Sequence, residues 1–346
     1  MKNIQLYNED NLEVMKRLPN ESIDVICIDP PYLYLKNQKL ERPFDEQLFF
    51  SECARLLTKN GFIVMFGRGE SFYRWNTLLE NMRLKNDKYL FVDKKVTLTN
   101  NHDVKEELYF ECENITGNKS FKKVFTFKEE IVWNKRRITS PVLALGRTHE
   151  TISIFSKGKG KINKVKIDVF EKYKFDPEKI QRIANRLSTV FGNRKTFDLL
   201  KDYYTTGEKR YYKSVDSNFN STRSKDSNIN QNRTIVDAVA LEEGSKEISI
   251  IDEVSDHYNT IHPTQKPVRL IERLLKLVIP INNKKIVVAD WFTGSNSCCE
   301  AVINLQDEFP EIEFEFIGSE IDKEYFEAGK SRIEKLFENK QEKLTV

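Results

Sequence analysis

Ser22-Ile23-Asp24-Val25-Ile26-Cys27-Ile28-Asp29-Pro30-Pro31-Tyr32 decides the reading of this chain. Ile23 to Ile28 is a short apolar, β-branched run of the kind that forms a buried strand. It stops at an acid, two prolines and an aromatic. Proline has no N–H and cannot continue a central strand, so Pro30 and Pro31 end it and stiffen the turn. The stretch therefore brings a carboxylate, a carbonyl with no competing N–H and a ring to the C-terminal edge of a sheet. Open α/β sheets bind ligands at that edge. A planar heterocycle bearing an amino group suits such a clamp: the Asp29 carboxylate and the Pro30 carbonyl each accept one amino hydrogen, and Tyr32 stacks on the ring. Standing alone, the same four residues also fit a plain strand with a rigid turn, because short motifs match by chance.

Working outward, the flanks alternate between strand and helix patterns. Residues 4–7 read as a strand followed by Asn8-Glu9-Asp10, and Leu12, Val14, Met15 and Leu18 mark a helix face closed by Pro19-Asn20. Residues 46–58 read as a helix, with Leu48, Phe49, Cys53, Leu56 and Leu57 on one stripe and a stop at Lys59-Asn60-Gly61. Phe62 to Phe66 is another buried-type strand. Toward the C-terminus, Pro267 opens a helix whose face carries Leu270, Ile271, Leu274, Leu275 and Val278, with Pro280 as its stop. Ile286 to Ala289 is a strand ending at Asp290, and Phe314 to Ser319 is a strand ending at Glu320. A last helix carries Tyr325, Phe326 and Ile333. Repeated strand and helix patterns of this kind predict a doubly wound, mostly parallel α/β sheet.

The middle of the chain reads differently. Residues 85–128 are polar and alternate only in places. Residues 131–135 and 151–155 look like strands joined by a long polar connection. From 157 to 235 the chain is rich in Lys, Asn and Ser, with aromatics interleaved. Residues 177–202 look partly helical, 214–233 read as a long loop, and the acidic run 242–256 marks a return to the main domain. The 346 residues carry a net charge of only +3. Residues 151–240, however, hold 19 Lys and Arg against 10 Asp and Glu, so this segment is +9 and the remainder is −6. A basic segment with interleaved aromatics suits a polyanion, through phosphate and base contacts.

Composition excludes several classes. At 39% hydrophobic and 32% charged the chain is a soluble, globular type. No apolar run approaches the ~20 residues of a membrane span, and Met1-Lys2-Asn3 leads into a strand without a signal-peptide pattern. The five cysteines have no C-x-x-C spacing, and with four histidines and no paired cluster the sequence offers no metal site. Reduced intracellular thiols are expected.

The second chemical centre is Asp290-Trp291-Phe292-Thr293-Gly294-Ser295-Asn296-Ser297, a strand end, a small-residue turn and a helix start. That arrangement brings backbone N–H groups close to a ligand. It is not G-x-G-x-x-G and lacks a P-loop lysine, so phosphate is not the obvious ligand. Glu320 follows Gly294 by 26 residues, near the ~20-residue offset at which an acid reaches ribose hydroxyls in dinucleotide folds.

Together these segments resemble the amino-group DNA methyltransferases that use S-adenosyl-L-methionine. Asp29-Pro30-Pro31-Tyr32 matches that family's catalytic D/N/S-P-P-Y/F/W. Asp290 to Ser297 matches its cofactor turn D-P-F-x-G-S-G-T, with Trp291 in place of proline and Asn296 in place of glycine. His262-Pro263-Thr264-Gln265-Lys266-Pro267 matches H-x-T-Q-K-P, and Gly318 to Tyr325 matches G-x-E-x-D-x-x-Y. The order, catalytic motif first, resembles the β-group. The resemblance covers about 1–156 and 257–346. It implies a Rossmann-like class I methyltransferase fold with a catalytic half at 1–156, an inserted target-recognition region at 157–256 and a cofactor-binding half at 257–346. It further implies that Asp29, Pro30, Pro31 and Tyr32 are catalytic. By the same resemblance Asp10 contacts the adenine of the cofactor and Glu320 its ribose, while Thr264, Lys266, Asp290, Phe292, Gly294, Ser295, Asn296, Ser297 and Ile321, with Asp29, complete the cofactor site. His149 and Glu150 resemble a position near the end of the family's catalytic half.

The expected activity is site-specific methylation of adenine N6 in duplex DNA, with base flipping. Asp opening the tetrapeptide is usual for adenine enzymes and Ser for cytosine-N4 enzymes. No cysteine follows a proline, so the nucleophile of ring-carbon cytosine methylation is not offered. An N4-cytosine enzyme and a DNA-binding protein with an inactive methyltransferase fold are the alternatives. A bacterial, archaeal or phage-infected cytoplasm is the expected setting, with a cognate restriction endonuclease and a second copy of the chain as candidate partners, and no membrane.

Overall fold

In the computed structural model, Ile23–Ile28 is a central strand of an eight-stranded sheet. The structure describes residues 3–32, 42–98, 104–110, 113–115, 121–138, 144–206, 227–255 and 260–344. Across the sheet the strands are Ile4–Tyr7, Glu313–Ser319, Lys285–Asp290, Ile23–Ile28, Leu57–Gly67, His149–Lys157, Phe125–Asn134 and Ile250–Asp252. Adjacent pairs are parallel except those made by His149–Lys157, which runs antiparallel to both its neighbours. The mostly parallel α/β expectation is met.

Ile23–Ile28 is buried along nearly its whole length. Ile26 and Ile28 join a core with Phe49, Phe50, Trp75 and Leu79 from two helices, Glu46–Leu56 and Gly69–Asn81. Val25 and Cys27 are equally buried, on the other face by the strand's two-residue alternation. Asp24 sits inside this apolar run without being orphaned. Its carboxylate accepts from the Val287 backbone N–H at 2.9 Å and the Thr58 hydroxyl at 3.1 Å. Arg55, on the first of these helices, donates to the Met15 and Leu18 carbonyls at 2.7 and 2.8 Å. It thereby caps the C-terminal end of helix Asn11–Arg17, where a cation is favoured.

The chain turns one way from Ile23–Ile28, through Glu46–Leu56 into Leu57–Gly67. It turns the other way from Lys285–Asp290, through helix Ser297–Glu308 into Glu313–Ser319. These two strands are parallel neighbours, pairing Val288 with Val25 and Ala289 with Ile26. Their carboxyl ends therefore meet at a topological switch point, where a doubly wound sheet opens a crevice.

The chain divides into two compact units, residues 1–163 with 249–346, and residues 164–248. The second has helices Pro177–Ser188, Arg194–Thr206 and Ser227–Glu243, with Ile183, Leu199, Tyr203, Ile235 and Ala238 buried. These bounds are narrower than 157–256 at both ends. The Asn163 side chain donates to the Lys276 and Ile279 carbonyls, and Ile250–Asp252 pairs with Phe125–Asn134 in the main sheet. The part of the loop expected at 214–233 that is described, from Ser227 on, is helix; the rest lies outside the described residues. Between 82 and 123 the described residues form two three-stranded antiparallel sheets. Cross-strand pairing sets these short strands, and the single-sequence pattern did not carry it.

Candidate active site

Asp29 follows the end of Ile23–Ile28, and Pro30 and Pro31 carry the chain over the crevice to Tyr32. The Tyr32 hydroxyl donates to Asp29 Oδ1 at 2.7 Å and lies 3.3 Å from Glu150 Oε2. The Tyr32 carbonyl accepts from the Ser71 hydroxyl at 2.5 Å. Its ring is tilted against Trp75 at 6.3 Å between centroids. The tetrapeptide is thus fixed at its carboxylate, backbone and ring.

The second oxygen of Asp29 accepts from Lys266. Lys266 also lies 3.5 Å from Glu150 Oε2, and Lys135 pairs with Glu150 Oε1. Two acids and two lysines alternate: Asp29, Lys266, Glu150, Lys135. Burial by itself would pull the Lys266 ammonium down, but the Asp29 and Glu150 carboxylates outweigh it and hold it above its ordinary value. Burial by itself would push the Glu150 carboxyl up, but Lys266 and Lys135 hold it below the usual carboxylate range. The resemblance places Lys266 with the cofactor residues; the structure brings its ammonium to Asp29.

Asp290 ends the neighbouring strand. Its Oδ1 accepts from the Phe292 N–H at 3.0 Å. Burial, with Asp29 and Glu320 nearby, pushes the Asp290 carboxyl up to about 8. The turn beyond it needs left-handed backbone at two positions, Gly294 with φ +47 and Asn296 with φ 59. Asparagine is one of the few side-chain-bearing residues that tolerates this region, so the turn survives the loss of a glycine. Glu320 braces it: Oε2 accepts from the Gly294 N–H and Oε1 from the Asp322 N–H, both at 2.9 Å. Burial raises the Glu320 carboxyl despite these two bonds.

The hexapeptide His262–Pro267 touches both centres. A Cβ on Gly294 would lie 3.3 Å from the His262 ring, while Lys266 reaches Asp29. The Thr264 hydroxyl lies 3.1 Å from His262 Nδ1, and the His262 ring meets Tyr325 edge-on at 4.4 Å. Burial keeps His262 below its ordinary value.

A single cavity of about 230 Å³ is lined by Asp10, Asp29, Pro30, Pro31, Tyr32, Thr264, Lys266, Asp290, Phe292, Gly294, Ser295, Ser297, Glu320 and Ile321. The sequence-predicted residues are therefore brought together, with two qualifications. Asn296 does not line the cavity. It is fully buried, and a Cβ at Gly329 of the last helix would meet its side-chain amide at 2.7 Å. Asp10 lines the cavity but also caps helix Asn11–Arg17 by accepting from the Leu12 N–H at 2.9 Å. Residues not singled out by the sequence complete the site. Lys135 fixes Glu150, and Phe44 packs on Phe292 at 5.5 Å. Glu150, which the family resemblance pointed to without giving it a partner, stands beside Tyr32 and Lys266.

Among the described residues no group of three or more His, Cys, Asp and Glu is placed to hold a metal ion. No described helix is long and apolar enough to cross a membrane.

A family model described as a DNA methylase matches residues 23–331. The Type II methyltransferase M.BamHI of Bacillus amyloliquefaciens is 29% identical over 112 residues, covering 27% of this chain and 24% of that protein. The Type II methyltransferase M.HinfI of Haemophilus influenzae is 30% identical over 95 residues, covering 21% of this chain and 26% of that protein. The chain thus spans about a quarter of the length of these curated relatives. The crystal structure of an M1.HpyAVI-SAM complex superposes over 95% of this chain and 99% of that one, with a TM-score of 0.48 at 18% identity. The PvuII DNA methyltransferase, titled cytosine-N4-specific, does so over 95% and 85%, with a TM-score of 0.49 at 12% identity.

Proposed function

The chain belongs to the N6/N4 DNA methylase family, and from that membership we propose that it methylates the N6 amino group of adenine in duplex DNA at a short sequence. Its methyl donor is S-adenosyl-L-methionine. The donor set fits this cofactor: the acids Asp10, Asp290 and Glu320 line the same cavity as Phe292 and Ile321, which suits a cationic, hydroxyl-bearing ligand with an apolar ring. When bound, the cofactor supplies a sulfonium methyl whose bond to sulfur breaks as the bond to nitrogen forms, the electron pair staying on sulfur.

The chain's own residues do the rest. An aromatic amino group is a poor nucleophile because its lone pair is delocalised into the ring. Asp29 and the Pro30 carbonyl accept its two hydrogens and favour a pyramidal nitrogen with a directed lone pair. Catalysis is then mostly positioning, with positive charge on nitrogen stabilised by the same two oxygens. The surplus proton leaves nitrogen toward the Asp29 carboxylate and on to water. Tyr32 stacks on the base, which has to leave the duplex to reach a cavity of this kind.

The observation that carries this reading is that the tetrapeptide and the small-residue turn, about 260 residues apart in the chain, open into one cavity. Asp opening the tetrapeptide favours adenine over cytosine. The test is transfer of labelled methyl from S-adenosylmethionine to unmethylated DNA by the wild type and by Asp29→Ala. The variant is expected to keep most of its DNA affinity and lose transfer. Activity within about tenfold of wild type would refute the clamp.

A further inference from the structure

Asp29 is already occupied in the structure. Tyr32 donates to one of its oxygens at 2.7 Å and Lys266 to the other. Each carboxylate oxygen can accept a second hydrogen bond, so an incoming amino group can reach Asp29, but it then shares the carboxylate with a bound ammonium. Lys266 is 8% exposed, so it cannot retreat into water, and a buried ammonium without a carboxylate is costly. A second carboxylate stands beside it. Glu150 Oε2 is 3.5 Å from the Lys266 ammonium and 3.3 Å from the Tyr32 hydroxyl, so it faces both groups that hold Asp29. Its other oxygen is tied to Lys135, and Glu150 is itself 9% exposed. Strand His149–Lys157 anchors it, with Thr151 opposite Gly67 of the neighbouring strand and Glu150 opposite Trp133.

We propose that Glu150 is a positioning residue for methyl transfer, the acceptor onto which Lys266 shifts when the target amino group engages Asp29. The inference rests on the methyltransferase reading given above. It accounts for a full carboxylate buried next to two lysines where a neutral side chain would fill the same space. Without the shift, the Lys266 ammonium stays on Asp29. There it competes with the amino group and opposes the positive charge that develops on nitrogen. With the shift, Asp29 keeps its full charge for the amino group and Lys266 keeps a partner. The motion needed is small, because Lys266 already lies within 4 Å of both acids.

The test is a set of charge-balanced variants. Glu150→Gln with Lys135→Met removes one charge of each sign and leaves Asp29 and Lys266 paired. This variant should bind S-adenosylmethionine like the wild type by calorimetry, while kcat on unmethylated DNA falls by about 30-fold or more. Glu150→Gln with Lys266→Met should be no slower than Lys266→Met alone, because Glu150 acts only through the lysine. A merely structural Glu150 would give losses that multiply. A kcat for the first variant within about threefold of wild type would overturn the proposal, as would multiplying losses in the second. Loss of cofactor binding in the first would assign Glu150 to the scaffold and overturn it equally. Failure of the wild type to methylate any DNA would instead overturn the methyltransferase reading.

Discussion

Replacing Asp290 by asparagine should make the cofactor-free protein more stable and make it bind S-adenosylmethionine less well. Asp290 is 7% exposed, and its carboxyl is pushed up to about 8 by burial, with the Asp29 and Glu320 charges adding to it. The unfolded chain has this carboxyl near its ordinary value of about 3.9. Between about 3.9 and about 8 the folded state therefore holds a proton that the unfolded state has released. Stability falls as pH rises through that window. At pH 7 the cost is at most about 4 kcal/mol, from roughly three pH units at about 1.4 kcal/mol each. Asparagine retains the oxygen that accepts from the Phe292 N–H at 3.0 Å and carries no charge, so it escapes this cost. A cationic cofactor reverses the balance, because it favours the ionised acid. Affinity in the wild type should climb roughly tenfold per pH unit from about pH 6 and level off near pH 8. Calorimetric titrations across this range, on wild type and Asp290→Asn, give the readout. Titration of the ligand itself is common to both proteins and cancels in their ratio. Thermal melting in the same buffers gives the stability arm. An identical pH dependence in the two proteins, or a less stable Asp290→Asn at pH 8, would refute the reasoning.

Three further outcomes follow from the fold and the charge distribution. Gly294→Ala should weaken cofactor binding and lower the melting temperature. The φ of +47 costs alanine about 1–2 kcal/mol, and its Cβ crowds the His262 ring; an unchanged melting temperature and affinity would show that the turn tolerates a side chain. Replacing residues 164–248 by a short linker should leave cofactor affinity unchanged and abolish site-specific methylation. The cut is placed there because Asn163 and Ile250–Asp252 belong to the main sheet unit. The intact protein should bind duplex DNA with a log affinity against log salt slope of roughly −4 to −7, for about four to eight phosphate contacts at about −0.9 each. An excised protein that still modifies the same sequence would place recognition outside this unit.

Much of the sheet and both chemical centres could be read from residue pattern, for a physical reason. Strands such as Ile23–Ile28 and Lys285–Asp290 are buried on both faces, so they read as continuous β-branched runs that end abruptly at an acid. The site was less legible where a side chain's partner lies far away in the chain. Nothing near Lys266 indicates that it reaches Asp29, 237 residues away. Glu150 was marked only by the family resemblance, which gave it no partner, because Lys266 and Lys135 reach it across the fold. Asn296 looked like a ligand-turn residue, yet its left-handed backbone is what the turn uses, and its side chain packs toward Gly329. Ile250–Asp252 fell within the insert's bounds because three residues inside the acidic run 242–256 carry too little period to register as a strand. The basic character assigned to the insert also depends on where it is cut: residues 164–248 hold 17 Lys and Arg against 13 Asp and Glu. The segment's excess is smaller once the acidic return is counted with it.

The central claim is transfer of a methyl group to an exocyclic amino group held by Asp29. Unmethylated DNA incubated with the protein and methyl-labelled S-adenosylmethionine, digested to nucleosides and resolved by mass spectrometry, tests it most directly. Label is expected in N6-methyladenine, confined to one short sequence and absent with Asp29→Ala. Label in N4-methylcytosine would contradict the adenine assignment, and label in 5-methylcytosine, or none in any nucleoside, would contradict the clamp itself.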